Sequence, residues 1–380
     1  MNTDSINTKM KLSPPTLQPW VGGEDNNKDI IVLMSGGVDS SVTALLLKQA
    51  GWNVLGITMK IPLAKKCDVH RSCCGMEAAY LCKDLGIPHY YLDIRDAFQR
   101  LVVEPFRESY ARGETPSPCI DCNTLFKFSL VWDFVEEAFG VENLATGHYA
   151  RVVHSESGAR LARANDLHKD QTYFLYGIPR RRLGHLHLPL GDYTKEEVRE
   201  LAREARLPVA RRPESMELCF AGEGDYRNAL GETAARKGPI LDTSGNVIGE
   251  HDGIEYFTVG QRRGLRVAMG KPLYVIGIDP VKNAVIAGSW DDALRSDVSA
   301  REVNVLIPEA LHAGARLFGK IRSQGNPSAC AVRETSEDGI SVVFDEPQFA
   351  PTPGQRLVIY DADGNVVAGG TIVPREGREQ

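Results

Sequence analysis

The stretch "IIVLMSGGVDSSVTALLLK", Ile30 to Lys48, passes from an apolar run through two adjacent glycines into residues with helical periodicity. A Walker-type phosphate loop needs a lysine before its Ser or Thr, and a dinucleotide fingerprint needs glycines spaced G-x-G-x-x-G. Neither pattern is present. What remains is Ser35, Gly36, Gly37, Val38, Asp39, Ser40 and Ser41 between the strand-like "DIIVLM" and the apolar positions Val42, Leu45 and Leu46. That is a strand, a glycine turn and a helix start. Glycines let the backbone approach an anion closely, and the amides and positive dipole end of a helix N-terminus favour a phosphate. The serine hydroxyls add donors, and Asp39 could hold Mg2+ beside the phosphates. An ordinary βα turn capped by serine is the competing reading of a bare Gly-Gly pair.

The same alternation extends from Asp29 to about Arg212. "DIIVLM", "NVLGITMKI", "PHYYLDI" and "NLATGHYA" are separated by "SVTALLLKQAG", "GMEAAYLCKDLG" and "LFKFSLVWDFVEEAFG". Strands alternating with helices predict an α/β fold, a doubly wound parallel sheet with helices on both faces, whose ligand lies beyond the carboxyl ends of the strands. The loop at Ser35, Met59 after "GIT", and Gly147 with His148 after "LAT" all fall at such ends. The charged helix in "YTKEEVRELAREARLPVARRP" closes this domain, giving bounds of 29–212. Short strands and glycine turns then predict a central β-rich domain over 213–290. From Asp291 onwards "GKIRSQ", "ACAVRE", "ISVVFDE", "RLVIYD" and "NVVAGGTIV" predict an antiparallel β-barrel over 291–380. "DADGN", Asp361 to Asn365, lacks the closing glutamate of a calcium loop and reads as a hairpin turn. The first 28 residues are polar, contain prolines and lack arginine, so they read as a disordered tail with no secretion or import signal, and a cytoplasmic location is expected.

With 380 residues, 42% hydrophobic and 25% charged, the chain suits two or three globular domains. No run approaches the roughly 20 apolar residues of a membrane helix, so no membrane partner is expected. The net charge is −6, so a nucleic acid would have to be met by local basic patches such as Arg180 to Arg182, Arg211 with Arg212, or Arg262, Arg263 and Arg266. On its own, a charge run of this kind is more often a solvated face. Eight cysteines without a signal sequence argue against structural disulfides. Cys82 and Cys330 sit where small core residues belong, and Cys73 and Cys74 open a helix. Cys119 and Cys122 form a C-x-x-C in "TPSPCIDCN", where Pro116 and Pro118 stiffen a loop that presents both sulfurs. Zinc, redox and cluster ligation all remain open for such a pair.

The full string S-G-G-V-D-S-S resembles the PP-loop of the ATP pyrophosphatases. That resemblance implies a loop that grips the leaving pyrophosphate while the α-phosphate stays open to attack, and therefore adenylation. Taken with "TPSPCIDCN", "GHYAR", "KDQTYFL", "LGDYTKEEVRELA", "CF" at 219 and 220, and "TVGQRRGL", the chain resembles the bacterial tRNA-specific 2-thiouridylases from about Asp29 to about Val373, with the motifs in order.

This second resemblance implies ATP- and Mg2+-dependent thiolation at C2 of the wobble uridine 34 in the tRNAs for lysine, glutamate and glutamine. A cysteine desulfurase or sulfur-carrier protein would be the sulfur donor. It further implies that Leu33, Met34, Ser35, Gly36, Gly37, Val38, Asp39 and Ser40 form the ATP-phosphate loop, with Met59 and the Gly147 backbone near the adenine and ribose. Ser117, Pro118 and Cys119 would contact the target base. Cys122 would be the nucleophile and Cys219 the persulfide carrier, the two joining as a disulfide during turnover. His148, Lys169, Asp170, Gln171, Arg322, Ser323 and Gln355 would face the tRNA.

Two positions depart from the family. Cys119 stands where aspartate is common, and Ser323 where tyrosine is common. The extra thiol opens a second route, in which Cys119, Cys122 and Cys219 bind a [4Fe-4S] cluster through three thiolates and leave one iron open to carry sulfur. Cluster and persulfide routes both stand open at this point. Two rival functions differ in what they require. A PP-loop synthetase adenylating a small molecule would not need paired cysteines, nor "GHYAR" with "KDQTYFL". A non-enzymatic RNA-binding module using the C-x-x-C for zinc would need a second pair at finger spacing.

Overall fold

A strand with every residue buried must lie inside a sheet covered on both faces, and "DIIVL" is such a strand. The computed structural model describes residues 10–62, 76–156, 158–211, 218–221, 226–231, 235–267 and 269–374. Cys67, Cys73 and Cys74 lie outside the described residues. The chain divides into two units, one of Met1–Val103 with Cys119–Ala229, the other of Glu104–Pro118 with Leu230–Gln380.

The first unit contains β1 (Lys11–Leu12), β2 (Asp29–Leu33), α1 (Val38–Gln49), β3 (Asn53–Lys60), α2 (Met76–Asp84), β4 (His89–Asp93), β5 (Asn143–Ala145), the hairpin β6 (Ala150–Ser155) and β7 (Gly158–Arg163), β8 (Leu186–His187) and α3 (Lys195–Glu204). The sheet order is β1-β4-β3-β2-β5-β8. β2 pairs in parallel with β3 and β5, β3 with β4, and β5 with β8, whereas β1 is antiparallel to β4. This is the doubly wound sheet that the alternation of apolar runs predicts. On one face Ile30, Val32 and Val54 share a core with Val42 and Leu47 of α1, Ala78 and Leu81 of α2, and Val198 and Ala202 of α3. A continuous helical run, Pro118–Asp121, the π-helical Cys122–Leu130 and Val131–Phe139, carries Phe126, Phe128 and Trp132 fully buried.

One expectation changes here. Residues 10–28, read as part of a disordered tail, are ordered: β1 pairs with β4, Met10 is buried, and the Ser13 and Thr16 amides donate to the Tyr91 and His89 carbonyls. Their polar composition reflects an edge strand, which needs main-chain partners more than apolar side chains. Met59 is the last residue but one of β3, at the carboxyl end where the sequence places it.

The second unit begins with the helix Glu104–Ala111 and the strip that follows it, although the sequence places both inside the 29–212 domain. Its central part is a four-stranded sheet with order β10-β9-β12-β11, made of β9 (Gly238–Leu241), β10 (Val247–His251), β11 (Tyr274–Asp279) and β12 (Ala284–Gly288). Ile240, Phe257, Val275 and Val285 form its core. Then β13 (Leu294–Val305), β14 (Arg316–Lys320), β15 (Ser328–Thr335), β16 (Gly339–Phe349), β17 (Arg356–Tyr360) and β18 (Val366–Ile372) close into a six-stranded antiparallel barrel in the order β13-β16-β15-β14-β17-β18. Closure comes from β13 pairing with β18, which removes the exposed edges of an open sheet. Asp361 to Asn365 is the β17–β18 turn, with the Asp361 carboxylate accepting from the Asp363 and Asn365 amides. Among the described residues no helix is long and apolar enough to cross a membrane.

Candidate functional site

β2 ends at Leu33, and by Gly37 the chain has turned into the N-cap of α1, where no side chain caps the helix. Gly36 sits at φ +77°, a conformation that an L side chain rarely adopts, and a Cβ there would lie 3.3 Å from the Ala78 amide. The loop is braced from within: the Ser40 hydroxyl accepts from the Ser35 amide at 3.2 Å, and the Ser41 hydroxyl donates to the Gly37 carbonyl at 2.7 Å. Gly147, two residues past β5, lies directly on this turn. A Cβ on it would fall 2.8 Å from both Asp39 C and the Ser40 amide nitrogen. The crevice at the carboxyl ends of β2 and β5 thus has walls of bare backbone beside an uncapped helix N-terminus, the features an anion site uses.

Asp39 has two partners that the motif does not reveal. Lys195 Nζ is 2.7 and 2.8 Å from its two carboxylate oxygens, and the Tyr149 hydroxyl donates to Oδ1 at 3.0 Å. The Lys195 side chain is 5% exposed and that of Asp39 33%. Lys195 is the first residue of α3, behind a capping box of Thr194 and Glu197. A cation in the first turn opposes the helix dipole, so a lysine at that place needs a compensating anion, and this was the sequence signal available for it.

Cys119 lies in the opening turn of the long helical run and Cys122 begins its π-helical part; Cys119 is exposed and Cys122 partly buried. Loss of solvation raises the Cys122 thiol above its ordinary value, and the Lys127 charge pulls it back. The same charge, after burial, helps hold His148 well below its usual range, so that imidazole is neutral. Its Nδ1 is 2.8 Å from the Thr146 hydroxyl, and its ring is 5.9 Å from Phe128. Lys127 therefore places one positive charge near both thiols and the histidine. Cys219 is exposed in a turn of the same unit. The next residue, Phe220, packs edge-on against Phe98 at 5.8 Å, and Phe98 packs against Phe126 at 5.6 Å. The thiol-bearing segments thus share one aromatic chain.

Among the described residues Cys82, Cys119, Cys122 and Cys330 are free thiols, and no group of three or more His, Cys, Asp or Glu side chains there is placed to hold a metal ion. Cys119, Cys122 and Cys219 are not assembled as a ligand set for a [4Fe-4S] cluster. The Mg2+ expected at Asp39 would share that carboxylate with Lys195, whose Nζ is 2.7 and 2.8 Å from its oxygens. Cys82 and Cys330 are fully buried, and burial pushes each thiol up to about 12, which leaves them as core residues.

Three family descriptions match in sequence: a tRNA methyl transferase HUP domain over 28–223, a tRNA methyl transferase PRC-barrel domain over 230–289 and an aminomethyltransferase beta-barrel domain over 295–373. The chain is 40% identical to the tRNA-specific 2-thiouridylase MnmA of Clostridioides difficile over 361 residues, covering 92% of this chain and 99% of that one. It is 44% identical to the MnmA of Moorella thermoacetica, covering 90% and 98%. The chain belongs to the tRNA-specific 2-thiouridylase family. A U34-tRNA thiolase structure from Methanococcus maripaludis with its [4Fe-4S] cluster covers 57% of this chain and 67% of its own at 18% identity and a TM-score of 0.33, too slight a likeness to carry a cluster over.

As a 2-thiouridylase the chain was expected to turn a set of polar residues toward RNA, and several are occupied internally. Asp170 is 1% exposed; its carboxylate accepts from the Ala164 amide and the Thr172 hydroxyl and lies 3.5 Å from Arg163. Its work is to close the loop after β7. Gln171 accepts from the Tyr149 amide and donates its own amide to the Tyr149 carbonyl, which places the tyrosine that reaches Asp39. Arg182 pairs with Asp133 and Glu136 over the Trp132 ring, so it braces the helical run. Lys169 and Ser323 are partly buried, whereas Arg262, Arg263 and Arg266 are exposed. In the second unit Arg322 donates to the Ala350 carbonyl at 2.7 Å and Gln355 to the Thr115 and Pro116 carbonyls. A carboxamide or guanidinium satisfied by a main-chain carbonyl gives no sequence signal distinct from one that faces a ligand.

Proposed function

We propose that this 2-thiouridylase modifies C2 of the wobble uridine of tRNA in two stages, adenylation at the glycine loop and sulfur transfer through Cys122 and Cys219. The observation that carries the reading is one unit holding both an uncapped helix N-terminus walled by Gly36, Gly37 and Gly147 and a pair of thiol segments joined by Phe220, Phe98 and Phe126. Uracil O2 attacks the α-phosphorus of ATP and pyrophosphate leaves, its charge met by the loop amides and the Ser35 and Ser40 hydroxyls. Mg2+ held at Asp39 would screen the triphosphate. Cys219 then carries a persulfide received from a persulfide-bearing sulfur donor, either a desulfurase or a carrier protein. Its terminal sulfur attacks C2 and AMP departs, leaving uridine joined to Cys219 through a disulfide. The Cys122 thiolate attacks the Cys219 sulfur, 2-thiouridine is released, and a Cys122–Cys219 disulfide remains for a thiol reductant to return to two thiols. Lys127 favours the thiolate at the step where it is needed.

The tRNAs for lysine, glutamate and glutamine are the substrates this reading names, with a flipped-out base as the reacting group. The persulfide route needs only Cys122 and Cys219, whose segments the Phe126, Phe98 and Phe220 rings join. The test is direct. Purified, iron-free protein given tRNA, ATP, Mg2+ and a persulfide donor is expected to release pyrophosphate and form 2-thiouridine in equal amounts, and none of either without tRNA. Pyrophosphate release on a small molecule alone, or thiolation that requires iron, overturns the reading.

A further inference from the structure

We infer that Trp290, stacked on Phe349 beside a basic loop that begins at Gly260, is a platform for an unpaired base of the tRNA, whose phosphates Arg262 and Arg263 meet. The choice of partner rests on the thiolation reading above, but the surface lies wholly within the second unit.

Three rings build the platform. Trp290 follows β12 and is 49% exposed, the only one of the four tryptophans that is not at least partly buried. An indole is usually well covered, so this much open ring is unusual. It lies parallel to the Phe349 ring, with 3.8 Å between centroids and 14° between planes, and Tyr274 stands nearly perpendicular to both at 5.6 and 5.4 Å. With Phe349 against one face, the area left open is chiefly the other. Phe349 is itself held, since the Arg322 guanidinium lies over its ring at 5.6 Å and donates to the carbonyl of Ala350.

The basic loop starts at the foot of this stack. Gly260, at φ +91°, is so close that a Cβ would fall 2.9 Å from an Arg322 guanidinium nitrogen and 3.3 Å from Phe349 Cε1. Its amide donates to the Val275 carbonyl. The Gln261 carboxamide accepts from the Thr258 amide and donates to the Arg263 carbonyl, which fixes the turn. Arg262 and Arg263 are exposed, and neither guanidinium has an ion-pair or hydrogen-bond partner among the described residues. Arg262, Arg266, Lys271 and Leu273 line a concavity of about 410 Å³, and the residue after Leu273 is the Tyr274 that meets Trp290. Nearby carboxylates have partners: Asp292 accepts from the Ser289 amide and hydroxyl, and Asp252 lies 3.6 Å from Arg266. Asp291 is exposed and opposes an RNA here, against four cations on the loop. A pinned ring with an open face beside cations that lack partners is the combination by which proteins hold single-stranded nucleic acid. A duplex offers phosphates but keeps its base faces stacked, so the ring selects unpaired nucleotides.

The test uses the full chain and needs neither ATP nor a sulfur donor. Its probes are a glutamate tRNA transcript, a short uridine oligomer and a short RNA duplex. The tRNA and the oligomer are expected to quench the Trp290 part of the fluorescence, read as the difference between wild type and Trp290→Phe, whereas the duplex leaves it unchanged. Trp290→Ala is expected to weaken tRNA binding about 5- to 100-fold, and Trp290→Phe, which keeps a ring, by no more than about threefold. Arg262→Ala combined with Arg263→Ala should make the slope of log K against log salt shallower by about 1.5. These two side chains are exposed, so that protein keeps its unfolding midpoint and serves, with the quenching, if Trp290→Ala folds poorly. Unchanged fluorescence on tRNA binding, or wild-type affinity in Trp290→Ala, overturns the platform. A wild-type salt slope in the arginine pair overturns the phosphate contact, and equal quenching by the duplex overturns the selection of unpaired nucleotides. A wild type that binds tRNA with quenching but never thiolates it sinks the functional reading and leaves the platform standing.

Discussion

Replacing Lys195 by methionine isolates what the buried ammonium does for the glycine loop. The side chain is 5% exposed and Nζ lies 2.7 and 2.8 Å from the Asp39 oxygens, so methionine fills much the same volume and leaves Asp39 with the Tyr149 hydroxyl alone. Breaking a fully buried pair costs about 3–5 kcal/mol, but Asp39 is one-third exposed and water can take up part of the loss. An expected destabilisation of about 1–2 kcal/mol corresponds to roughly 2–8 °C in the unfolding midpoint of a unit of this size. The larger effect falls on ATP. With the carboxylate no longer neutralised by the lysine and no Mg2+ added, each phosphate charge within about 5 Å is repelled by about 1.7 kcal/mol at an effective dielectric of about 40, or roughly 20-fold in affinity. Adding Asp39→Asn to Lys195→Met should recover most of that repulsion but none of the Mg2+ function. Calorimetric ATP binding across the four proteins of the cycle checks this. Wild-type ATP affinity in Lys195→Met, or strictly additive single effects, would refute the reasoning that the pair tunes the loop charge.

Three further outcomes are expected. Burial lowers His89 to about 4 from 6.5, its ring bonded to Thr58 at 2.8 Å and near Thr16 at 3.2 Å, so the unfolded chain binds more protons between those values and stability falls by about 3 kcal/mol as pH drops from about 6.5 to about 4; unfolding midpoints at pH 4.5 and 7.5 should converge in His89→Gln. Gly147→Ala drives a methyl group into the first turn of α1, 2.8 Å from Asp39 C, and is expected to lower ATP affinity at least tenfold, as read by titration, while distant hydrogen-exchange protection is unchanged. Lys127→Ala removes the charge that lowers the Cys122 thiol, so alkylation of Cys122 at pH 8 should slow several-fold and its pH midpoint rise; an unchanged midpoint would show that the lysine does not reach the thiol.

How far the sequence could be read follows from which interactions are local. The buried run Asp29–Leu33, the glycine turn and the helix behind it announce themselves within 20 residues, because burial on both faces and a positive φ each demand particular residue types. The barrel is legible where β13, β15 and β16 alternate between buried and exposed positions, whereas β17 and β18 are buried throughout. What the sequence conceals is pairing across distance. Asp39 meets Lys195 only 156 positions further along the chain. The polar segment at residues 10–28 is ordered by main-chain bonds to β4, for which side chains carry no mark. Gln355 donates to the Thr115 carbonyl over 240 positions, a bond that marks neither segment of the sequence. The helix Glu104–Ala111 and this strip join the second unit, although the domain reading assigned them to the first. The chain therefore passes from the nucleotide-loop unit into the barrel-bearing unit and back again at Pro118, one residue ahead of Cys119.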